Sequence, residues 1–196
     1  MPFYTIEETA VCEFTIMLSR TGYTGELGFE IYASEDAVVT IWDALVEAGA
    51  QPAGLAARDI LRMEMTYCLY GNDINEKTNP LEAGLSWITA LNKREFTGFE
   101  KILQEKSEGS KRRLVSLTME ERGIPRPGYE VYAEGKNVGF VTSGTQSPLL
   151  NTGIGLAYVD TPFNKIDQQL SIQIRDKDVG AVIIKPPFIN NTSLHH

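Results

Sequence analysis

Between residues 20 and 32 the chain reads Arg-Thr-Gly-Tyr-Thr-Gly-Glu-Leu-Gly-Phe-Glu-Ile-Tyr, a run dense in glycine, hydroxyls and charge. Glycine-rich loops cradle phosphates when a lysine or a dinucleotide fingerprint accompanies them, and neither is present, so phosphate cradling is not supported. The plainer reading is a connection between strands whose glycines supply positive φ angles. Glu30 departs from that reading because Phe29, Ile31 and Tyr32 surround it in sequence. A carboxylate in an apolar, aromatic run is expected to have a polar partner.

Arginine chemistry comes next. Arg58 follows Ala-Gly-Leu-Ala-Ala, small residues that let a flat ligand or a second backbone approach a helix start. Its bland alternative is a local ion pair with Asp59 or Glu64, the commoner fate of a helix arginine. Arg62 stands one turn later, and spacing alone does not rank the two. Tyr67 and Tyr70 read by default as core or rim aromatics, and Arg126, between Pro125 and Pro127, as a solvated arginine in a constrained turn. The hydroxyls of 143–147 would need a histidine or lysine base to act as nucleophiles. The two histidines, His195 and His196, end the chain and read as a tag remnant, so hydrolase chemistry is not expected.

The elements that position these groups follow from periodicity. Residues 11–18 and 27–32 have strand character, and 35–48 carries Val38, Ile41, Trp42, Leu45 and Val46 at helical spacing behind an N-cap at Ser34. A second helix is expected over 56–67, a strand at 87–91 and a short helix over 99–106. Beyond residue 110 the pattern changes to short strands at 113–119, 129–133, 138–143, 154–159, 170–174 and 179–184, the signature of a small antiparallel barrel or sandwich. Hairpin connections are expected at 134–137 and 175–178.

Composition excludes several functions. With 26 acidic against 18 basic residues the net charge is −8, which repels a phosphate backbone, so no nucleic-acid partner is expected. The two cysteines, Cys12 and Cys68, show no paired spacing and suggest neither a disulfide framework nor a zinc site. No apolar run is long enough to cross a bilayer, so no membrane partner is expected.

Four segments together carry a resemblance: Arg-Thr-Gly-Tyr-Thr-Gly-Glu-x-Gly-Phe-Glu at 20–30, Ala-Gly-Leu-Ala-Ala-Arg-Asp at 53–59, Leu-Tyr-Gly-Asn-Asp-Ile at 69–74 and Thr-Ser-Gly-x-x-Ser-Pro at 142–148. In order and spacing the chain resembles the T-protein family of the glycine cleavage system. That resemblance implies an aminomethyltransferase that takes a methylene carbon from the aminomethyl-lipoyl arm of the H-protein, passes it to tetrahydrofolate and releases ammonia. It implies a cytoplasmic location in a bacterium, or the mitochondrial matrix in a eukaryote. Glu30 and Arg58 match the family's folate-binding glutamate and arginine, Tyr23 and Tyr67 match tyrosines of the same pocket, and Arg126 matches an arginine placed near the active site from the last domain.

The expected fold class is α+β. A partial α/β folate-binding region spans 1–106, a linker 107–110, a small antiparallel β-barrel 111–189, and a disordered tail 190–196. The family's catalytic aspartate has no counterpart here, so the chain by itself is expected to be inactive, and its half-domain to self-associate through exposed apolar faces. The tail tyrosine that the family can contribute to the pocket is also missing from 187–192. Two other functions share the scaffold: a folate-dependent demethylase or dehydrogenase end domain, and a folate-binding accessory protein of iron–sulfur assembly.

Overall fold

The computed structural model describes residues 1–93 and 96–195. The chain divides into two compact units, Met1–Arg62 with Ile189–His196, and Met63–Phe188.

The first unit is built on a three-stranded antiparallel sheet in the order β1-β2-β3, comprising Ile6–Val11, Phe14–Ser19 and Glu30–Tyr32. Val11 pairs with Phe14, leaving Cys12 and Glu13 as a two-residue turn with φ of 51° and 67°. Two consecutive positive φ angles match the right-handed twist of a hairpin. The strand expected over 11–18 is therefore two strands and a turn. Cys and Glu do not advertise positive φ, so the alternation reads straight through them. Of residues 27–32 only the last three pair with β2.

Helix α1, Glu35–Glu47, packs Ala37 and Ile41 on Ile16, with Val11, Phe14, Leu18 and Ala33 around them. Ser34 occupies the extended N-cap position as expected, but its side chain makes no capping bond. Glu35 and Asp36 in the first turn still favour the positive end of the helix dipole. Gly49, at φ 101°, ends the helix. Val38, Val39, Trp42 and Leu45 remain exposed, so most of the apolar face read from the sequence has no cover within this unit. Helix α2 spans Leu55–Glu64. It stops three residues short of the expected end because Thr66 takes a φ of 59°, which no helix continues.

In the second unit a short 3-10 turn, Ser86–Ile88, replaces the strand expected at 87–91. The Thr89 hydroxyl donates to the Leu85 carbonyl, which curls the chain, and Trp87 and Ile88 face solvent rather than a partner strand. Helix α3, Phe99–Glu108, ends on Gly109.

A barrel follows, with strands β4 Arg112–Met119, β5 Glu130–Ala133, β6 Lys136–Ser147, β7 Thr152–Asp160, β8 Gln169–Ile174 and β9 Lys177–Ile184. They close in the order β4-β7-β6-β5-β8-β9, every neighbouring pair antiparallel, with β9 returning to β4. Ala133 pairs with Lys136 around Glu134-Gly135, and Ile174 with Lys177 around Arg175-Asp176, so both expected hairpins are tight two-residue turns. Val115, Leu117, Met119, Val131, Val141, Ile172 and Ile183 fill the interior.

β7 is buried without alternation from Gly153 to Val159. Its inward residues join the barrel core, while Ile154 and Leu156 bury against Met63, with Leu114 and Phe188 packed beside them. Both faces of that strand are thus covered. The tail also differs from expectation: residues Ser193–His195 form a 3-10 turn, and Thr192 is buried. His196 lies outside the described residues.

Candidate functional site

Glu30 opens β3 directly across from Ser19 of β2. The Thr21 hydroxyl spends its proton on Glu30 Oε2, so the Ser19 hydroxyl, 2.7 Å away, must donate to Thr21. Two hydroxyls in series thus anchor one carboxylate oxygen, and chains of this kind polarise one another. The expected polar partner exists, although the setting differs from the one read in the sequence. Phe29, Tyr32 and Glu30 are all exposed, so the carboxylate presents its free edge to solvent rather than to an apolar interior.

The two arginines of α2 separate cleanly. Arg62 is 1% exposed, and its Nε and Nη2 each lie 2.8 Å from Asp59 Oδ1. Arg58 is exposed and lies over the Tyr23 ring, its guanidinium carbon 4.5 Å from the centroid. Arg20 makes the same contact with Phe29 at 4.3 Å. Stacking of this kind contributes ~0.5–1 kcal/mol at an exposed site and leaves the N–H groups at the guanidinium edge for other acceptors. One arginine is therefore structural and the other is presented.

Tyr67 and Arg126 belong to the second unit. Tyr67 is half-buried. Arg126 is exposed on a turn in which its carbonyl accepts the Tyr129 N–H at 3.1 Å, with Pro127 and Gly128 at the centre and Gly128 at φ 86°. Proline followed by a positive-φ glycine is the requirement of a type II turn, which fixes the backbone at Arg126. Of the five expected residues, direct contact joins Tyr23 and Arg58.

Asp73, inside the 69–74 motif but not among the expected site residues, is fully buried. Its Oδ1 accepts the Thr142 hydroxyl at 2.5 Å, its Oδ2 accepts the Leu69 N–H at 2.8 Å, and its carbonyl accepts the Tyr158 hydroxyl at 2.9 Å. Burial above all, then the nearby Glu82 charge, pushes the Tyr158 phenol well up, which keeps it a donor. The 69–74 segment is thereby pinned to β6 and β7 a few residues after Tyr67. The 142–148 motif has a matching purpose: Thr142 holds Asp73, Ser147 donates to the buried Glu64 at 2.6 Å, and a Cβ on Gly144 would meet the Pro125 carbonyl oxygen at 2.2 Å. These hydroxyls serve packing. An open depression of about 450 Å³ on the barrel wall, lined by Arg112, Glu130, Phe140, Tyr158 and Asp160 among others, contains none of the five expected residues.

Two family descriptions match in succession, the GCVT N-terminal domain over residues 1–93 and the glycine cleavage T-protein C-terminal barrel domain over 112–190. The chain belongs to the glycine cleavage T-protein family. Among curated relatives named aminomethyltransferase, that of Bacteroides fragilis is 47% identical over 195 residues and that of Flavobacterium psychrophilum 49% over 197; each alignment covers 96% of this chain and 54% of the relative. The crystal structure of the glycine cleavage system aminomethyltransferase T from Bartonella henselae superposes with a TM-score of 0.84 at 31% identity, covering 89% of this chain and 50% of that one. The chain thus spans about half the length of the T-proteins it matches. Among the described residues no helix is long and apolar enough to cross a membrane.

Proposed function

We propose that this chain supplies the folate-facing residues of an aminomethyltransferase that works with lipoylated H-protein and tetrahydrofolate and releases ammonia. Tetrahydrofolate supplies the nitrogens that take up the methylene carbon. The residues present suit such a ligand. Glu30 offers one free carboxylate edge, backed by the Ser19–Thr21 relay, to a ring with adjacent N–H donors, which a carboxylate accepts in bidentate fashion. Arg58 offers open N–H groups to a carboxylate of the ligand's tail, and its stack on Tyr23 holds the guanidinium plane. The family resemblance adds Tyr67 and Arg126, which belong to the second unit.

The observation that carries the reading is the pairing of an exposed, ring-stacked Arg58 with an anchored, exposed Glu30 in one unit of a T-protein family chain. A cytoplasmic location accompanies it, supported by the bacterial origin of the relatives. The 196 residues tested alone are expected to bind tetrahydrofolate weakly and to give no turnover, because each anchor absent from a site weakens binding by roughly 1–3 kcal/mol.

The test is a tetrahydrofolate titration of this chain beside the Bacteroides fragilis relative, followed by an assay of both with aminomethyl-lipoyl H-protein. The relative should bind tightly and turn over, and this chain should show weak binding that Glu30→Gln and Arg58→Met each diminish. Equal, tight binding by both proteins would show that the chain carries a complete site. Binding indifferent to both substitutions would remove Glu30 and Arg58 from the assignment.

A further inference from the structure

The segment 189–196 rejoins the first unit after the whole barrel has intervened in the sequence. There Ser193 engages the glycine-rich loop with three hydrogen bonds. The Leu27 N–H donates to Ser193 Oγ at 2.8 Å, the Ser193 N–H donates to Glu26 Oε2 at 2.9 Å, and the Ser193 hydroxyl donates to that same carboxylate oxygen. Within the loop, the Glu26 N–H reaches Thr24 Oγ1 at 3.3 Å. Thr192, the residue before Ser193, is buried, and Ser193 itself is half-buried.

The loop needs such a fastener. Residues 21–29 belong to no strand, and Gly22, Gly25 and Gly28 leave the backbone many alternatives, Gly25 having φ 81°. Tyr23 sits in this stretch, three residues before Glu26, and its ring must stay under Arg58 for the stack to exist. A hydroxyl that accepts one loop N–H while donating to the preceding side chain fixes residues 26 and 27 together. The Ser193 backbone N–H adds a charge-assisted bond, stronger than a neutral one.

We infer that Ser193 is a positioning residue: the C-terminal segment latches the loop that carries Tyr23 and thereby holds the Tyr23–Arg58 pair in the geometry the ligand meets. The inference rests on the proposed function for its link to tetrahydrofolate, whereas the latch itself stands on contacts within this chain. A stretch without periodicity, readable as a disposable tail, thus becomes part of the binding apparatus.

Three readouts test it on this chain, with Ser193→Ala to remove the hydroxyl, Ser193→Thr to restore it, and Thr192→Val as a neighbouring control that keeps the packing. Ser193→Ala should speed amide exchange at Leu27 by roughly tenfold while barrel amides stay unchanged, since local opening costs less than global unfolding. The Arg58 Nε–H resonance should lose the ring-current shift imposed by Tyr23. The dissociation constant for tetrahydrofolate, read by NMR titration, should rise roughly fivefold, the loss expected from one hydrogen bond. Ser193→Thr and Thr192→Val should behave like the parent. Unchanged exchange at Leu27, or an unmoved Arg58 resonance, overturns the latch. Loosened exchange and a moved Arg58 resonance with unchanged tetrahydrofolate affinity overturn the positioning role. A parent chain that binds no tetrahydrofolate, while Ser193→Ala still frees Leu27 and moves Arg58, supports the latch and refutes the folate reading instead.

Discussion

Glu82→Gln isolates one interaction that ties the 79–85 turn to the barrel. The Glu82 carboxylate receives Arg112 Nε at 2.8 Å, Arg112 Nη2 at 3.1 Å and the Asn79 N–H at 2.9 Å. The Arg112 guanidinium in turn lies over the Tyr158 ring at 4.5 Å. The side chains are 31% exposed at Arg112 and 11% at Glu82, between the surface pairs that contribute ~0–1 kcal/mol and the buried ones that cost ~3–5 kcal/mol to break. Glutamine keeps the acceptor for Asn79 but faces an N–H group toward Arg112, so we expect a loss of about 2 kcal/mol, or roughly 4–8 °C in Tm for a chain of this size.

The pH dependence sharpens the test. Burial opposes ionisation of Glu82, but the hydrogen bonds from Arg112 and Asn79 and the Arg112 charge outweigh it and hold the carboxyl below its ordinary value. The native state therefore binds fewer protons than the unfolded chain. The stabilisation is complete above the ordinary glutamate pKa of ~4.3 and fades as pH falls through the lower native value. Thermal melts of both proteins from pH 7 to pH 3 should show two Tm curves that converge in acid. Equal Tm values at pH 7, or a gap that persists undiminished at pH 3, would refute the reasoning.

Gly144→Ala places a Cβ 2.2 Å from the Pro125 carbonyl oxygen, and denaturant melts should show a loss of roughly 3 kcal/mol. Thr142→Val removes the hydroxyl that donates to buried Asp73 and should cost about 1–3 kcal/mol in the same assay, with faster exchange at the Leu69 amide. Trp42→Lys, on the uncovered face of α1, should shift the chain toward monomer in sedimentation velocity if that face drives self-association, and an unchanged distribution would exclude it.

The barrel was legible because short β-rich runs recur between turn residues of known habit, even though β7 does not alternate. The β1–β2 turn was not, since Cys12 and Glu13 adopt positive φ against their preference and only the pairing of Val11 with Phe14 reveals it. At the site, the contrast between Arg58 and Arg62 could not be read from spacing. Both follow α2's helical period, and what separates them is that Asp59 reaches Arg62 while Tyr23, distant in sequence, reaches Arg58. Glu30 was found for a reason the fold alters. Its neighbours are apolar in sequence but exposed in space, and its anchor is a pair of hydroxyls. The burial of Asp73 and the contacts of Ser193 gave no local signal, because Thr142 lies 69 residues from Asp73 and the partners of Ser193 lie 166–167 residues away.

Closure of the barrel by β4 and β9 sets the order in which it can assemble. The β5–β6 and β8–β9 hairpins have two-residue turns and need little loop closure, so they can form in ~1–10 μs. The seam that pairs Ser116 with Ile184 and Met119 with Ala181 joins the first and last staves and must await the strands between them. Interactions made last are absent from the folding transition state, so weakening the seam with Met119→Ala should accelerate unfolding while the folding rate stays nearly constant. The seam is thus expected to set the lifetime of the folded barrel, through the rate at which it opens.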